Sequence, residues 1–294
     1  MKKKMDLFEV ITAFLLIILA FLMLYPFVNT LAVSLNEAGD TARGGIYFLP
    51  RQITLENYIV ISNNERLYRA FVITVARTAL GTLLSVICTA MFAYGMSKAK
   101  LKGRNFYMGL SILTLYFSGG LIPTYLLMKW LHLTNSFMVY VIPYMIGVYN
   151  MIIMRTYFKT IPDSMEESAK IDGAGQMTIF FKIMLPLSAP IIATIGLFAA
   201  VFHWNQWFDA SLYVTDINLK PLQTILTGII NSQQYQEVLA QAGAGATQLD
   251  SMKIVNVRSI STATIIVSVL PIVIIYPFIQ KYFVKGIMIG SVKE

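Results

Sequence analysis

Charge is scarce along this chain. Aspartate, glutamate, lysine and arginine make up 13% of its 294 residues, about half the share of an ordinary soluble domain. Hydrophobic residues make up 56%, which rules out one or two soluble domains and indicates a polytopic membrane protein. Cysteine is nearly absent. Cys88 stands alone, so no intrachain disulfide can form, and within an apolar run it reads as a small packing residue. The two histidines, His132 and His203, have no metal-ligand companions, so no metal site is indicated. The chain has no phosphate-cradling glycine loop with a following Lys-Ser or Lys-Thr, and therefore no ATPase of its own. No internal repeat is evident. No small-residue cleavage site clearly follows the first apolar run, which reads as a retained membrane helix.

A helix needs about 20 apolar residues to cross the hydrocarbon core. Six segments meet that length: residues 10–31, 78–96, 106–127, 137–158, 187–207 and 260–279. The expected fold is all-α, one membrane domain over residues 1–294. The net charge of +8 is no nucleic-acid footprint, because the basic residues sort by membrane side. Lys2, Lys3, Lys4, then Lys98, Lys100, Lys102, Arg104, then Arg155, Lys159, Lys170, Lys182, then Lys281, Lys285, Lys293 fall on one side in short segments. The positive-inside rule makes that side cytoplasmic, together with both termini. Two longer segments then lie outside, 36–77 and 209–259. Within the second, residues 219–240 carry a helical pattern with Leu222, Ile225, Leu226, Ile229 and Ile230 on one face. A small, flexible loop follows over residues 241–249. That external helix can cap the bundle or meet an extracellular partner.

The chain is organised around residues 161–190, the one long polar interruption on the cytoplasmic side. Ser164 with Glu167 three residues on has the spacing of a capping box. Gly173 stands where the chain must leave the helix, a position suited to left-handed backbone. A helix of about two turns is too short to stand alone in water, and its small residues Ser168, Ala169, Gly173 and Ala174 suit close packing. It is either a connector packed on its own protein or a surface pressed into another.

Glu167-Ser168-Ala169, then Asp172-Gly173-Ala174, then Ile183-x-Leu185-Pro186 and Pro190 resemble the EAA loop of permease subunits of ATP-binding-cassette importers. The spacing is kept over some twenty residues, with Ser168 in place of the middle alanine. The wider chain, from Leu55-Glu56-Asn57-Tyr58 through Trp204-Asn205 and Pro221-Leu222-Gln223, is similar to carbohydrate-uptake permeases of the maltose type. Within these it looks most like those importing oligosaccharides derived from polysaccharides. The resemblance implies a type I importer permease in the bacterial plasma membrane. Its implied partners are a second homologous permease subunit, two ATPase subunits that hold ATP and magnesium, and an extracellular solute-binding protein. It also implies ATPase coupling through Glu166, Glu167, Ser168, Ala169, Asp172 and Gly173, and docking of the binding protein on the loop after residue 219. The tail 286–294 resembles the family tail that approaches the ATPase; by spacing alone it is a frayed end.

Other residues have two readings each. Glu167 can close the capping box or pair with a basic residue on another subunit, and the resemblance favours the second, with Glu166 as the alternative. Asp172 reads as a cap of the next helix. Arg77 falls at the outer end of the second span, where snorkelling is preferred to pairing with substrate. Tyr116 precedes Gly119-Gly120, which permit a bend, and it can bond a sugar or face a partner helix, with packing preferred. Trp204, Asn205 and Trp207 close the fifth span. They can anchor at the membrane interface, or their ring faces and amide can hold a sugar. Pro143, Pro271 and Pro277 are expected to kink their spans.

Two rival classes remain. An ion-coupled secondary transporter commonly needs an acid at midmembrane depth, and none of the six expected spans contains one. A membrane-bound enzyme would need paired acids or a Ser-His-Asp or Cys-His set, and none is apparent.

Overall fold

The structure, a computed structural model, describes residues 6–241 and 258–277. Lys2 to Lys4, Lys281, Lys285, Lys293, the loop after Gln241 and the tail 286–294 lie outside the described residues. Among the described residues no strand forms, and one isolated antiparallel bridge joins Asn36 to Ile53.

The helices, in chain order, begin with α1 (Leu7–Ser34), α2 (Ala38–Thr41), α3 (Glu56–Ser62) and α4 (Glu65–Ser97). Then follow α5 (Arg104–Tyr116), α6 (Leu121–Trp130), two short 3-10 turns (Phe137–Tyr140, Ile142–Tyr144) and α7 (Val148–Phe158). Next come α8 (Asp163–Ile171), α9 (Gln176–Ile179), a π turn (Phe180–Met184), α10 (Leu185–Leu187) and α11 (Ala189–Asn205). Last are α12 (Phe208–Tyr213), α13 (Leu222–Gln241) and α14 (Arg258–Pro277).

Three helices, α1, α4 and α14, are individually long and apolar enough to cross a membrane. Three bent pairs pass the same length and hydropathy test when each is taken together: α5 with α6 at 115°, the 3-10 turns with α7 at 47°, and the Gln176–Leu187 stretch with α11 at 85°. Six crossings result when each pair counts as one. The bends fall where the backbone cannot run on as a plain helix. Gly120 has a φ of 85° between α5 and α6, Pro143 lies in the second 3-10 turn, and Ser188 breaks the ladder before Pro190. The straight part of the fifth expected span is α11, which starts at Ala189, and a further helical stretch from Gln176 meets it at the 85° bend; the third expected span is not one straight rod. Pro271 leaves α14 continuous.

Among the described residues, those of Met1–Tyr68 with Ile225–Pro271 form one compact unit, and those of Arg69–Thr224 with Ile272–Glu294 form another. In the second unit a core of Ala90, Ala93, Tyr94, Met96, Met151, Met154, Phe158, Ala169, Phe180 and Met184 joins the end of α4 to α7, α8 and the π turn. A second core gathers Met128, Val139, Tyr140, Ala210 and Val214. Residues 209–219 belong to the segment expected outside the membrane, for which no burial was expected. Instead Asp209, Ala210 and Val214 are buried, because α12 folds back on the 3-10 turns. The helical pattern after residue 219 is observed as α13, and Leu222 and Leu226 of its expected face are buried.

Candidate functional site

The helix α8 begins two residues earlier than the capping box requires. Pro162 is its N-cap, with no side-chain cap bond, and Asp163 and Glu166 put carboxylates in the first turn, where the helix dipole favours them. Ser164 is thus a helical residue, not a cap. Its spacing to Glu167 has a different cause: Ser164, Glu167, Ser168 and Ile171 recur at i, i+3, i+4 and i+7 and form one stripe. All four are exposed, Ile171 to 86%.

The other face of α8 is tied down. Glu166 is buried and forms an ion pair with Lys98, just past the end of α4, and a second with Lys170 at 3.7 Å. The Lys98 ammonium lies 4.3 Å from the ring centre of Tyr94, and the Tyr94 hydroxyl donates to Gln176 Oε1 at 3.2 Å. Arg155 Nε donates to the Met96 carbonyl at 2.9 Å, closing one of the open carbonyls at the end of α4. Ala169 packs into the core beneath. The two adjacent acids are therefore divided, with Glu166 turned inward and Glu167 outward. Asp172 does not cap the next helix. It is the C-cap of α8, and α9 starts only after Gly175. Gly173 follows with a φ of 81°, the left-handed turn that its position required. Nearby, repulsion by Arg155, aided by burial, holds the Lys159 ammonium below its usual range.

A second constellation sits about 21 residues earlier on α4. Arg77 is fully enclosed and does not snorkel. Its Nη2 meets Asp209 Oδ2 at 2.6 Å, and its Nη1 donates to the Gln206 carbonyl at 3.0 Å. The guanidinium stacks 4.4 Å from the Tyr140 ring centre. Sequence reasoning missed this pair because it assigned Asp209 only to the external segment after the fifth span and gave it no partner. With the charge neutralised and the freed carbonyl at the end of α11 satisfied, α4 runs through Arg77 without interruption.

A cavity of about 230 Å³ opens beside it. It is lined by Ser85, Pro143, Tyr144, Ile146, Gly147, Asn150, Phe198, Ala199, Phe202 and His203. Tyr144 and Phe202 meet edge to face at 5.0 Å. The Asn150 amide bonds no described residue, and the buried His203 Nδ1 likewise has no partner among the described residues. His203 fits only because Gly81 lacks a side chain: a Cβ there would lie 2.6 Å from the imidazole. The cavity is smaller than the ~300–1,000 Å³ of a pocket enclosing a whole drug-sized ligand, so it suits one ring of a longer molecule. Aromatic faces beside unpartnered polar groups are what a sugar ring needs.

The residues expected to line a substrate path are not brought together there. Trp204 is buried and packs edge to face on Phe71 at 6.1 Å. Asn205 is exposed and donates to the Val201 carbonyl on its own helix. Tyr116 is 78% exposed at the end of α5, and Trp207 is exposed between α11 and α12. The cavity used the neighbouring position, His203, and aromatic residues one turn back. Among the described residues no group of three His, Cys, Asp or Glu side chains is placed to hold a metal.

The sequence matches the family described as binding-protein-dependent transport system inner membrane component over residues 5–289. It is 38% identical over 291 residues to the polygalacturonan/rhamnogalacturonan transport system permease protein YtcP of Bacillus subtilis, covering 99% of each chain. It is 29% identical to the arabinooligosaccharides transport system permease protein AraQ of Halalkalibacterium halodurans, covering 94% of this chain and 93% of that one. Among solved structures, a bacterial ABC transporter involved in the import of the acidic polysaccharide alginate superposes with a TM-score of 0.83. That chain is 28% identical, with 94% of this chain and 96% of that chain covered.

Proposed function

We infer the work of this chain from its kinship: it belongs to the family of binding-protein-dependent transport system inner membrane components. It is the permease subunit of an ATP-binding-cassette importer in the bacterial plasma membrane, and not an enzyme. ATP is hydrolysed by separate ATPase subunits, and a solute-binding protein delivers the cargo. The cargo we assign is an oligosaccharide released from a polysaccharide, in keeping with the names of the relatives. A second homologous permease completes the pathway, and two ATPase subunits with ATP and magnesium drive it. Both termini face the cytoplasm, and residues 1–294 act as one permease domain.

The observation that carries the coupling role is the two-faced α8. Its exposed stripe, with Glu167, Ser168 and Ile171, meets the ATPase, and Glu167 pairs with a basic residue there. Its inner face, with Glu166 and Ala169, passes displacement through Lys98 to α4. Asp172 and Gly173 end the helix and set the path of the chain into α9. Closure of the ATPases on ATP then biases the bundle between two states that differ in their contacts. One sugar ring packs in the cavity against Tyr144 and Phe202 and bonds Asn150. Tyr116, Trp204, Asn205 and Trp207 remain candidate contributors along the path, Trp204 by supporting its neighbours.

The test is uptake of labelled oligogalacturonides and arabino-oligosaccharides into vesicles holding the assembled complex and the binding protein. Uptake is expected only with ATP. Accumulation driven by an ion gradient without ATP would overturn the reading in favour of a secondary transporter.

A further inference from the structure

The chain enters and leaves α8 past the same side chain. Tyr94 stands three residues before the end of α4 and is buried. Its ring meets Phe158, the last residue of α7, edge to face at 6.3 Å. It meets Phe180, the first residue of the π turn, at 5.3 Å with a tilt of 40°. Its hydroxyl donates to Gln176, the first residue of α9. Phe158 precedes α8, and Gln176 and Phe180 follow it, so one ring holds both flanks of that helix. The helix itself reaches the ring through charge. The Glu166 carboxylate pairs with Lys98, whose ammonium lies 4.3 Å from the Tyr94 ring centre, close enough for attraction by the ring's quadrupole.

These contacts lead to a different place from the one that α4 reaches. Phe180 is 1% exposed and shares one core with Tyr94. A close-packed interior has little compressibility and passes strain on. Phe180 opens the π turn, in which the Leu185 N–H donates to the Phe180 carbonyl five residues back. Such wide turns are rare and recur at functional sites. The Gln176–Leu187 stretch that contains this one meets α11 at 85°. A push on Phe180 therefore acts on one arm of a jointed pair.

We propose that Tyr94 is a positioning residue that gives α8 a second output, carrying its displacement to the π turn and so to the joint before α11. This rests on the coupling role of α8 given above. Movement of α8 shifts Glu166, and Lys98 follows by charge. The Tyr94 ring, attracted by that ammonium and packed on Phe180, passes the shift to the start of the π turn. Its hydroxyl is bonded to an exposed partner and adds little, so the ring carries the transfer. Coupling of this kind travels through contiguous packed side chains and ion pairs. The end of α4 and the fifth bent pair then answer one movement of α8.

The test measures labelled oligogalacturonide taken up per ATP hydrolysed, by the assembled importer in vesicles with its binding protein, and thermal stability beside it. Tyr94→Leu removes the ring and is expected to lower this ratio about fivefold, the scale of one lost aromatic pair, while hydrolysis continues. Tyr94→Phe keeps the ring and should hold the ratio at the wild-type value. A residue that only packs would lower stability, uptake and hydrolysis together when replaced, leaving the ratio unchanged, and that result overturns the proposal. So does a ratio lowered as far by Tyr94→Phe as by Tyr94→Leu, which would assign the effect to the hydroxyl. Should Tyr94→Leu fail to assemble, Phe180→Leu breaks the same ring pair from the other side, and an unchanged ratio there overturns the proposal equally. Glu167→Lys is measured in parallel. If it abolishes uptake while Tyr94→Leu keeps a normal ratio, this inference alone fails. Normal uptake by Glu167→Lys removes the coupling role of α8 itself.

Discussion

Arg77 and Asp209, 132 positions apart, meet at 2.6 Å with side chains 0% and 1% exposed. The pair is taken from water as completely as any in the described protein, and Tyr140 covers its guanidinium face. Removing one member strands the other charge, which costs about 3–5 kcal/mol in buried pairs.

Arg77→Met alone, or Asp209→Leu alone, is therefore expected to lower thermal stability of the detergent-solubilised protein sharply. The double replacement should recover most of the loss, since an apolar pair of similar volume is often neutral. Equal damage from the single and double variants would show that the pair's charge is not what matters there.

The two adjacent acids of α8 should separate by assay. Glu167→Lys is expected to leave the melting temperature near wild type while abolishing ATP-dependent uptake by the assembled complex. Glu166→Gln should reduce the stability of the isolated subunit, because it removes the buried carboxylate from Lys98 and Lys170. Normal uptake by Glu167→Lys would remove that residue from coupling.

Gly81→Ala should destabilise by about 1–3 kcal/mol, the usual scale of overpacking, since the new methyl would lie 2.6 Å from the His203 ring. Combining it with His203→Ala should relieve the strain. A thermal melt of the three variants reads this directly.

In the cavity, Asn150→Ala should raise the half-saturating sugar concentration about fivefold, the equivalent of one lost hydrogen bond of about 1 kcal/mol, with assembly unchanged. Trp204→Ala should instead reduce stability, because its ring is buried against Phe71. If uptake per assembled complex falls for Trp204→Ala and not for Asn150→Ala, the sugar contacts follow the original sequence expectation.

Asp40 supplies a dependence on pH. The hydrogen bond from Asn36 holds its carboxyl below the usual range, with Arg51 adding to the effect against opposition from burial. A depressed carboxylate stabilises fully above its unfolded value near 3.9 and loses that contribution as pH falls through its folded value. The stability gap between wild type and Asp40→Asn should accordingly be widest at neutral pH and close only in strong acid.

Much of this was legible from residues. The six apolar runs, the polar segment 161–190, the left-handed Gly173 and the bend at Gly119-Gly120 follow from local rules that tertiary contacts seldom reverse. What escaped was decided by distant partners. The Ser164-to-Glu167 interval is shared by a capping box and by a helical stripe, and only the position of Pro162 distinguishes them. Arg77 looked like a snorkelling residue because nothing local reveals a carboxylate 132 positions later. The cavity escaped because Tyr144, Asn150 and Phe202 carry no motif.

The unbroken course of α4 has a mechanical consequence. The site of Lys98 and that of Arg77 lie about 30 Å apart along one axis, at 1.5 Å per residue, roughly the thickness of the hydrocarbon core. The three bent pairs have a joint at which they can fold, absorbing a push. The stretch of α4 from Arg77 to its end is continuous helix, held by an ion pair at Arg77 and another at Lys98, and has no such joint. In the coupling role proposed above it would serve as a connecting rod, carrying a displacement of the Glu166 end along α4 to the Arg77–Asp209 pair.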